Sequence, residues 1–172
     1  MASEPNSYRD FEIRTATEAD VDVLGQYGAR LISIHHEWDR SRFIAASPRT
    51  PAMYASYLKG QLDKPDVLVL IAEAGRVAFG YVYAGLEGPD YMALRGPAGV
   101  IYDIYVDDAY RRRGAGRSLL NAVVDELARR GADQVVLSTA WQNEAARRLF
   151  AAAGFAPTMI EMTMQIGNVR KT

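Results

Sequence analysis

Arginines 111, 112, 113 and 117 bracket the glycines at 114 and 116 in the run IYDIYVDDAYRRRGAGRSLLNAVV. Such a composition suits an anion. Glycine lets the backbone approach a ligand closely, and the first turn of a helix offers unpaired N–H groups at the positive end of its dipole. Guanidinium groups beside those donors suit a pyrophosphate or a 3′-phosphate. The bare pattern also fits a tight strand-to-helix connection. It lacks the three-glycine spacing of a dinucleotide fingerprint, and no Gly-Lys-Ser/Thr follows to make a P-loop.

A second chemical candidate lies just upstream. Asp103 interrupts the apolar run IYDIYV, where a carboxylate is costly unless it is paired or useful. It is either a general base or an aspartate at a solvated face bonded to a neighbouring loop. Tyr102 and Tyr105 flank it, lining a site or simply packing. Glu161, opposite in strand face to Ile160 and Met162, either meets a cationic substrate or faces water. The run His35-His36-Glu37-Trp38-Asp39 is not a metal motif: adjacent helical histidines point about 100° apart, and the His-Glu-x-x-His spacing is missing.

These groups need elements to position them. Phe11 to Arg14 alternates as a first strand, and Thr17 is placed to cap a helix with Glu18 and Asp20 in its first turn. Val21, Leu24, Gly28, Leu31 and His35 recur at helical spacing. Thr50-Pro51 opens a second helix expected to turn Met53, Tyr57 and Leu58 inward. Val67 to Glu73 and Val77 to Leu86 form a strand pair around Ala74-Gly75-Arg76. Residues 87–97 form a loop long enough to be functional. Val100 to Val106 is a strand, and Gly114 to Arg130 a strongly periodic helix ended by Gly131. Val135 to Thr139 is a strand, Asn143 to Ala153 a helix stopped by Gly154, and Thr158 to Ile166 a final strand. The order predicts a mixed α/β sheet with a parallel crossover from strand 100–106 through helix 114–130 to strand 135–139. Residues 1–10 and 167–172 read as loose tails around one domain, 11–166.

With those elements in place, Arg111-Arg112-Arg113-Gly114-Ala115-Gly116 resembles the R/Q-x-x-G-x-G/A signature of the GNAT acetyltransferase superfamily. Trp141 to Phe150 resembles its N-x-x-A-x-x-x-Y/F segment, Ala151 to Phe155 the end of that helix, and Ile13 to Thr17 the I-R-x-A-T start. The resemblance covers roughly residues 11–166. It implies a mostly antiparallel central sheet with a splayed parallel strand pair and flanking helices, holding acetyl-CoA. The strand at Ile104, Tyr105 and Val106 would pair with the pantetheine amides. Residues Arg111, Arg112, Arg113, Gly114, Ala115, Gly116 and Arg117 would wrap the pyrophosphate. Asn143 would bond the pantetheine arm, and Phe150 would lie by the thioester. Glu37, Trp38 and Asp39 would rim the acceptor pocket. The Asp103 strand is similar to the I-Y-D-L-A-V strand of aminoglycoside 3-N-acetyltransferases. Phe150 departs from the family, since many relatives place a proton-donating tyrosine there.

The implied reaction is acetyl transfer to a primary amine, by direct attack with a carboxylate or water-assisted base. A small cationic acceptor is expected; a protein α-amino or lysine acceptor, or a noncatalytic acyl-CoA sensor, are the alternatives. Twenty Lys plus Arg against 21 Asp plus Glu, net −1, argue against a general phosphate-seeking surface for nucleic acid. No apolar run approaches a membrane span. The start reads as no signal peptide, and with no cysteine a cytoplasmic location is expected. The apolar alternation of 158–166 is suited to a homodimer contact.

Overall fold

A computed structural model describes residues 11–166, and the two expected tails lie outside the described residues. The elements are β1 (Glu12–Thr15), α1 (Val21–Trp38), α2 (Thr50–Lys59), β2 (Val67–Ala74), β3 (Val77–Glu87), β4 (Ala98–Val106), α3 (Ala115–Arg129), β5 (Val135–Leu137) and α4 (Glu144–Ala152). The strands form one sheet in the order β1-β2-β3-β4-β5, antiparallel throughout except for the parallel β4–β5 pair. This is the mixed, mostly antiparallel architecture expected, with α3 as the crossover.

Strand alternation sends side chains to two layers. On one side, Leu68, Leu70, Val82, Ile101 and Val106 meet Leu119, Leu120, Val123 and Leu127, the apolar stripe of α3. Those four α3 residues are fully buried, each worth roughly 1.5–3 kcal/mol relative to exposure. On the other side, Val69, Ile71, Tyr81, Tyr83 and Tyr105 meet Leu24 and Tyr27 of α1 and Leu58 of α2.

Local chemistry sets several boundaries. A 3₁₀ turn at Glu18–Asp20 precedes α1, and its capping box joins Thr17 and Asp20. Asp20 does more than favour a helix dipole: it takes a two-pronged bond from Arg14, both contacts 2.8 Å, and Arg14 also bonds Glu73 at 2.7 Å. Gly131 and Gly154 end α3 and α4 at φ of 95° and 96°, a region closed to most side chains.

Two expectations are corrected. In α2 the inward residues are Tyr54, Ala55 and Leu58, whereas Met53 and Tyr57 are exposed. The helix is rotated by about one residue so that Ala55 can lie against Gly25 of α1. Thr158 to Ile166 is not a strand. Among the described residues its backbone has no partner strand, since β5 is three residues long and pairs with β4 alone. The segment is instead tied to the α1–α2 connection, through an ion pair of Glu161 with Arg42 and a bond from Gln165 Nε2 to Ser41 O of 2.9 Å.

Candidate active site

The parallel pair provides an opening. β4 and β5 are paired only from Gly99 to Ile101 on β4, so among the described residues the edge of β4 beyond Ile101 has no strand beside it on that side. Ile104 and Val106 turn their side chains into the α3 layer and Tyr105 turns to the other. What remains on the free edge is backbone, with the donors and acceptors an extended ligand could pair.

At the end of this edge the chain makes a tight turn into α3. Arg112 has φ +62° and Gly114, the residue preceding the helix, φ +88°. A Cβ at Gly114 would meet nothing within 4 Å, so glycine is required there by conformation and not by crowding. The first intrahelical bond runs from Ser118 N to Gly114 O, 2.9 Å. The N–H groups of Ala115, Gly116 and Arg117 precede it and point out of the helix start.

The arginines divide into two kinds. Arg111 braces the turn: its Nε donates to Val106 O at 2.9 Å and its guanidinium pairs with Asp108 at 2.6 Å. Arg117 donates to Ala152 O at 2.9 Å, tying α3 to the end of α4. Arg112 and Arg113 are exposed on the loop, the latter 5.7 Å from the Tyr110 ring. Asn143 caps α4, its Oδ1 accepting from Ala146 N at 3.1 Å, which leaves its Nδ2 as a donor. Phe150 is buried beneath, its ring 6.0 Å from that of Phe155. The turn and the free edge of β4 fit an extended ligand carrying a phosphate.

The opposite layer is built from tyrosine. Seven of the ten tyrosines (Tyr27, Tyr54, Tyr57, Tyr81, Tyr83, Tyr102 and Tyr105) gather between the sheet, α1 and α2. A bulge shapes this layer. Tyr83 pairs with Asp103 and Ala84 with Ile101, so Tyr102 is skipped. Tyr102 packs on Tyr83 with ring centres 4.7 Å apart, and Asp103 accepts from Tyr81 Oη at 3.1 Å. Two consecutive residues therefore face the same layer, which regular alternation forbids and a bulge allows.

Three carboxylates terminate the tyrosine contacts. Glu87 accepts from Tyr102 Oη at 2.6 Å and pairs with Arg95. Asp107 accepts from Tyr105 Oη at 3.0 Å and pairs with Arg30, while Tyr27 Oη, 3.3 Å from Asp107, gives its proton to the nearer Ala78 O at 2.8 Å. Asp103 has Tyr81 and, among the described residues, no cation. Burial without a compensating charge pushes its carboxyl up to about 6. A cleft of about 690 Å³ opens between α1, the α1–α2 connection and the end of β4, lined by Arg30, Ser33, Ile34, Ser47, Tyr105 and Asp107; Asp103 lies on the same strand as Tyr105, two residues from this lining.

The residues expected to rim an acceptor pocket have the following surroundings. Glu37 is exposed, and Trp38 stacks edge-on against His35, 4.9 Å between centres. Asp39 accepts from Ser41 Oγ at 2.6 Å and from the backbone N–H groups of Ser41 and Arg42, and the Ser41 bonds hold its carboxyl below the usual range. It shapes a turn. Glu161 is paired with Arg42. Both histidines donate to backbone carbonyls, His35 to Leu31 at 2.7 Å and His36 to Phe43 at 2.8 Å. Sequence reasoning missed Arg30, Tyr81 and Asp107. The alternation of Tyr81 and Tyr83 was a usable signal for a polar strand face, whereas nothing local marks Arg30 as the partner of a residue 77 positions away.

Comparison with known proteins agrees with this arrangement. The acetyltransferase (GNAT) family model matches residues 31–155. The chain belongs to this family. It is 36% identical over 157 residues to the mycothiol acetyltransferase of Corynebacterium diphtheriae, covering 88% of this chain and 48% of that protein. The chain thus spans about half the length of that relative, and 42% of the mycothiol acetyltransferase of Beutenbergia cavernae. Among solved structures, a predicted acetyltransferase from Clostridium acetobutylicum, crystallised with acetyl-CoA, superposes with a TM-score of 0.71 at 18% identity, over 91% of this chain and 96% of the other. At that identity the likeness speaks for the fold.

Proposed function

We propose that this chain transfers an acetyl group from acetyl-CoA to the primary amine of a small molecule, with Asp103 as the base. The observation that carries the reading is the contrast among the three carboxylates: Asp103 alone has no cation partner among the described residues. An unpaired carboxylate titrating near neutrality can take a proton at the pH where it must work. The same group salt-bridged would be too weak a base.

Acetyl-CoA supplies an acyl group already activated as a thioester. The chain's own residues do the rest. The backbone of Ile104, Tyr105 and Val106 would hold the pantetheine arm as an added strand, helped by Asn143 Nδ2. The turn from Arg111 to Arg117 would hold the pyrophosphate, with Arg112 and Arg113 on its exposed side and Arg111 and Arg117 bracing it. Asp103 would take a proton from the acceptor's ammonium, and the amine so formed would attack the thioester carbonyl, the C–N bond forming and the C–S bond breaking as coenzyme A leaves as the thiolate. Phe150 has no proton to give, so it shapes the apolar end of the channel, and any proton for the leaving sulfur comes from another source.

The acceptor needs one positive charge only. Asp39, Glu87, Asp107 and Glu161 are already spent on protein partners, so the required cation is the reacting ammonium itself. Small-molecule acceptors are consistent with the names of the mycothiol acetyltransferase relatives. The exposed Ile160, Met162, Met164 and Ile166 support a homodimer contact along 158–166. Sedimentation of Met162→Asp beside the natural chain tests that, with loss of a dimer expected.

A panel of amines assayed for thiol release tests the reaction. Turnover is expected with at least one small amine, falling below about pH 6 as Asp103 takes up a proton. Asp103→Asn is expected to lower it by roughly 10²-fold while leaving acetyl-CoA binding intact. Binding with no thiol release from any amine would make the chain an acyl-CoA sensor. Gly116→Glu is expected to abolish acetyl-CoA binding in calorimetry. Its Cβ fits, with Leu149 at 3.5 Å, so the lesion is the added carboxylate at the helix start. Unchanged affinity in the folded variant would remove the anion-binding turn from the account.

A further inference from the structure

Tyr81 is fully buried, stacked 5.9 Å from Tyr27 on α1, and its hydroxyl has two oxygen neighbours: Asp103 Oδ2 at 3.1 Å and Tyr54 Oη at 3.3 Å. A hydroxyl carries one proton. An ionised carboxylate only accepts, so Tyr81 donates to Asp103 and Tyr54 must then donate to Tyr81. The three groups form a directed chain ending on the carboxylate, and each bond polarises the next.

The seat of Tyr54 is set by α1. A Cβ on Gly28 would overlap the Tyr54 ring, so the absence of a side chain at 28 is what lets α2 lie close enough to deliver that hydroxyl. The neighbouring chain shows what the arrangement is not. Tyr57 Oη bonds Tyr83 Oη at 3.1 Å, on the strand residue paired with Asp103, yet their bond does not reach Asp103.

We propose that Tyr81, locked as a donor by Tyr54, is the positioning residue that orients the Asp103 carboxylate and keeps it ionisable inside the tyrosine layer. This rests on the reading of Asp103 as the base. The other groups facing that layer are Tyr83 from β3, Tyr102 and Tyr105 from β4, Tyr57 from α2, and Tyr27 with Arg30 from α1. Arg30 is committed to Asp107 and Tyr105, and Tyr102 to Glu87. Tyr81 is therefore the group with a bond to Asp103, and the bond favours the charged form.

Aspartate-labelled protein, with ¹³C at the carboxyl carbon, tests this without any acceptor. The Asp103 signal is identified by its loss in Asp103→Asn. Tyr81→Phe is expected to raise the titration midpoint of that signal by roughly one pH unit, the scale of a lost hydrogen bond to a charged group. Tyr54→Phe, at a half-buried position that tolerates the change if Tyr81→Phe does not fold, is expected to raise it by less. A midpoint that stays in place in Tyr54→Phe, and in Tyr81→Phe where it folds, overturns the proposal. A purely structural role would lower the unfolding temperature and leave the midpoint alone. The base reading fails separately, if Asp103→Asn turns over amines as the natural chain does; the titration outcome for Tyr81 would be unaffected.

Discussion

The two faces of one sheet are built on opposite principles. Toward α3 the strands present Leu68, Leu70, Val82 and Ile101. Toward α1 and α2, the same strands present Tyr81, Tyr83 and Tyr105. An aliphatic face needs only shape to be stable, because it carries no group that water would have bonded. A tyrosine face must find a partner for each buried hydroxyl or lose the cost of stripping it of water. Here the hydroxyls find one another and three carboxylates, and no buried side-chain polar atom among the described residues lacks a partner. The first face is a scaffold for the glycine turn at the start of α3. The second is a polar layer whose geometry and protonation are linked, the kind of surface on which a proton can be handled.

The sharpest test of this contrast is a cavity in the scaffold. Leu120→Ala is expected to cost on the order of 2–5 kcal/mol in denaturant unfolding. Its thiol-release rate per folded molecule should remain close to that of the natural chain. A variant of full stability would show that the α3 face is not packed as described.

The polar side should instead respond to pH. Hydrogen bonds from Arg14 and Thr17 hold the Asp20 carboxyl at about 2, against an ordinary 3.8. A lowered folded-state value means that its stabilisation is complete above the ordinary value and is lost as pH falls through the lower one. The unfolding temperature should thus decline between about pH 4 and pH 2, and Arg14→Met should flatten that decline. An equally steep decline in the variant would place the acid sensitivity elsewhere.

A smaller effect is expected from Tyr27→Phe. It removes one hydroxyl that donates to Ala78 O at 2.8 Å, a loss of about 1 kcal/mol measured in urea. A change below a few tenths would mean that the tyrosine layer is held by its rings alone.

Phe150→Tyr should change stability least. It adds a hydroxyl to the aliphatic side at a ring only 6% exposed. If departure of the thiolate limits the rate, turnover rises, since a donor would stabilise charge that develops only in the transition state. The expectation here is turnover within a few-fold of the natural chain, measured by thiol release. An inactive natural chain made active by this hydroxyl would overturn the catalytic reading and make Phe150 the lesion that disables an otherwise intact site.

Much of this was legible beforehand because it is local. The strand-turn-helix at 98–129, the glycine-ended helices and the β2–β3 hairpin each follow from periodicity and turn chemistry within a few residues. Asp103 stood out because a carboxylate in an apolar strand breaks a local rule. The strand expected at 158–166 was misplaced for the complementary reason: alternation describes which way side chains would point, but a strand exists only where another backbone lies beside it. Glu161 and Asp39 show the same limit. Their charges are visible in the sequence, whereas their partners Arg42 and Ser41 are set by the fold and by the turn.

The residues alone carry the order and type of the elements from β1 to α4 and the glycine turn before α3, since these depend on backbone preferences within a few residues. Only the tertiary structure decided which carboxylate is left without a cation. Arg30 reaches Asp107 across 77 positions and Arg95 reaches Glu87 across 8, while Tyr81 reaches Asp103 across 22. Charge pairing in a folded chain is settled by distance in space and by the water excluded around each pair, and Asp103 owes its raised carboxyl value to burial with no cation packed against it.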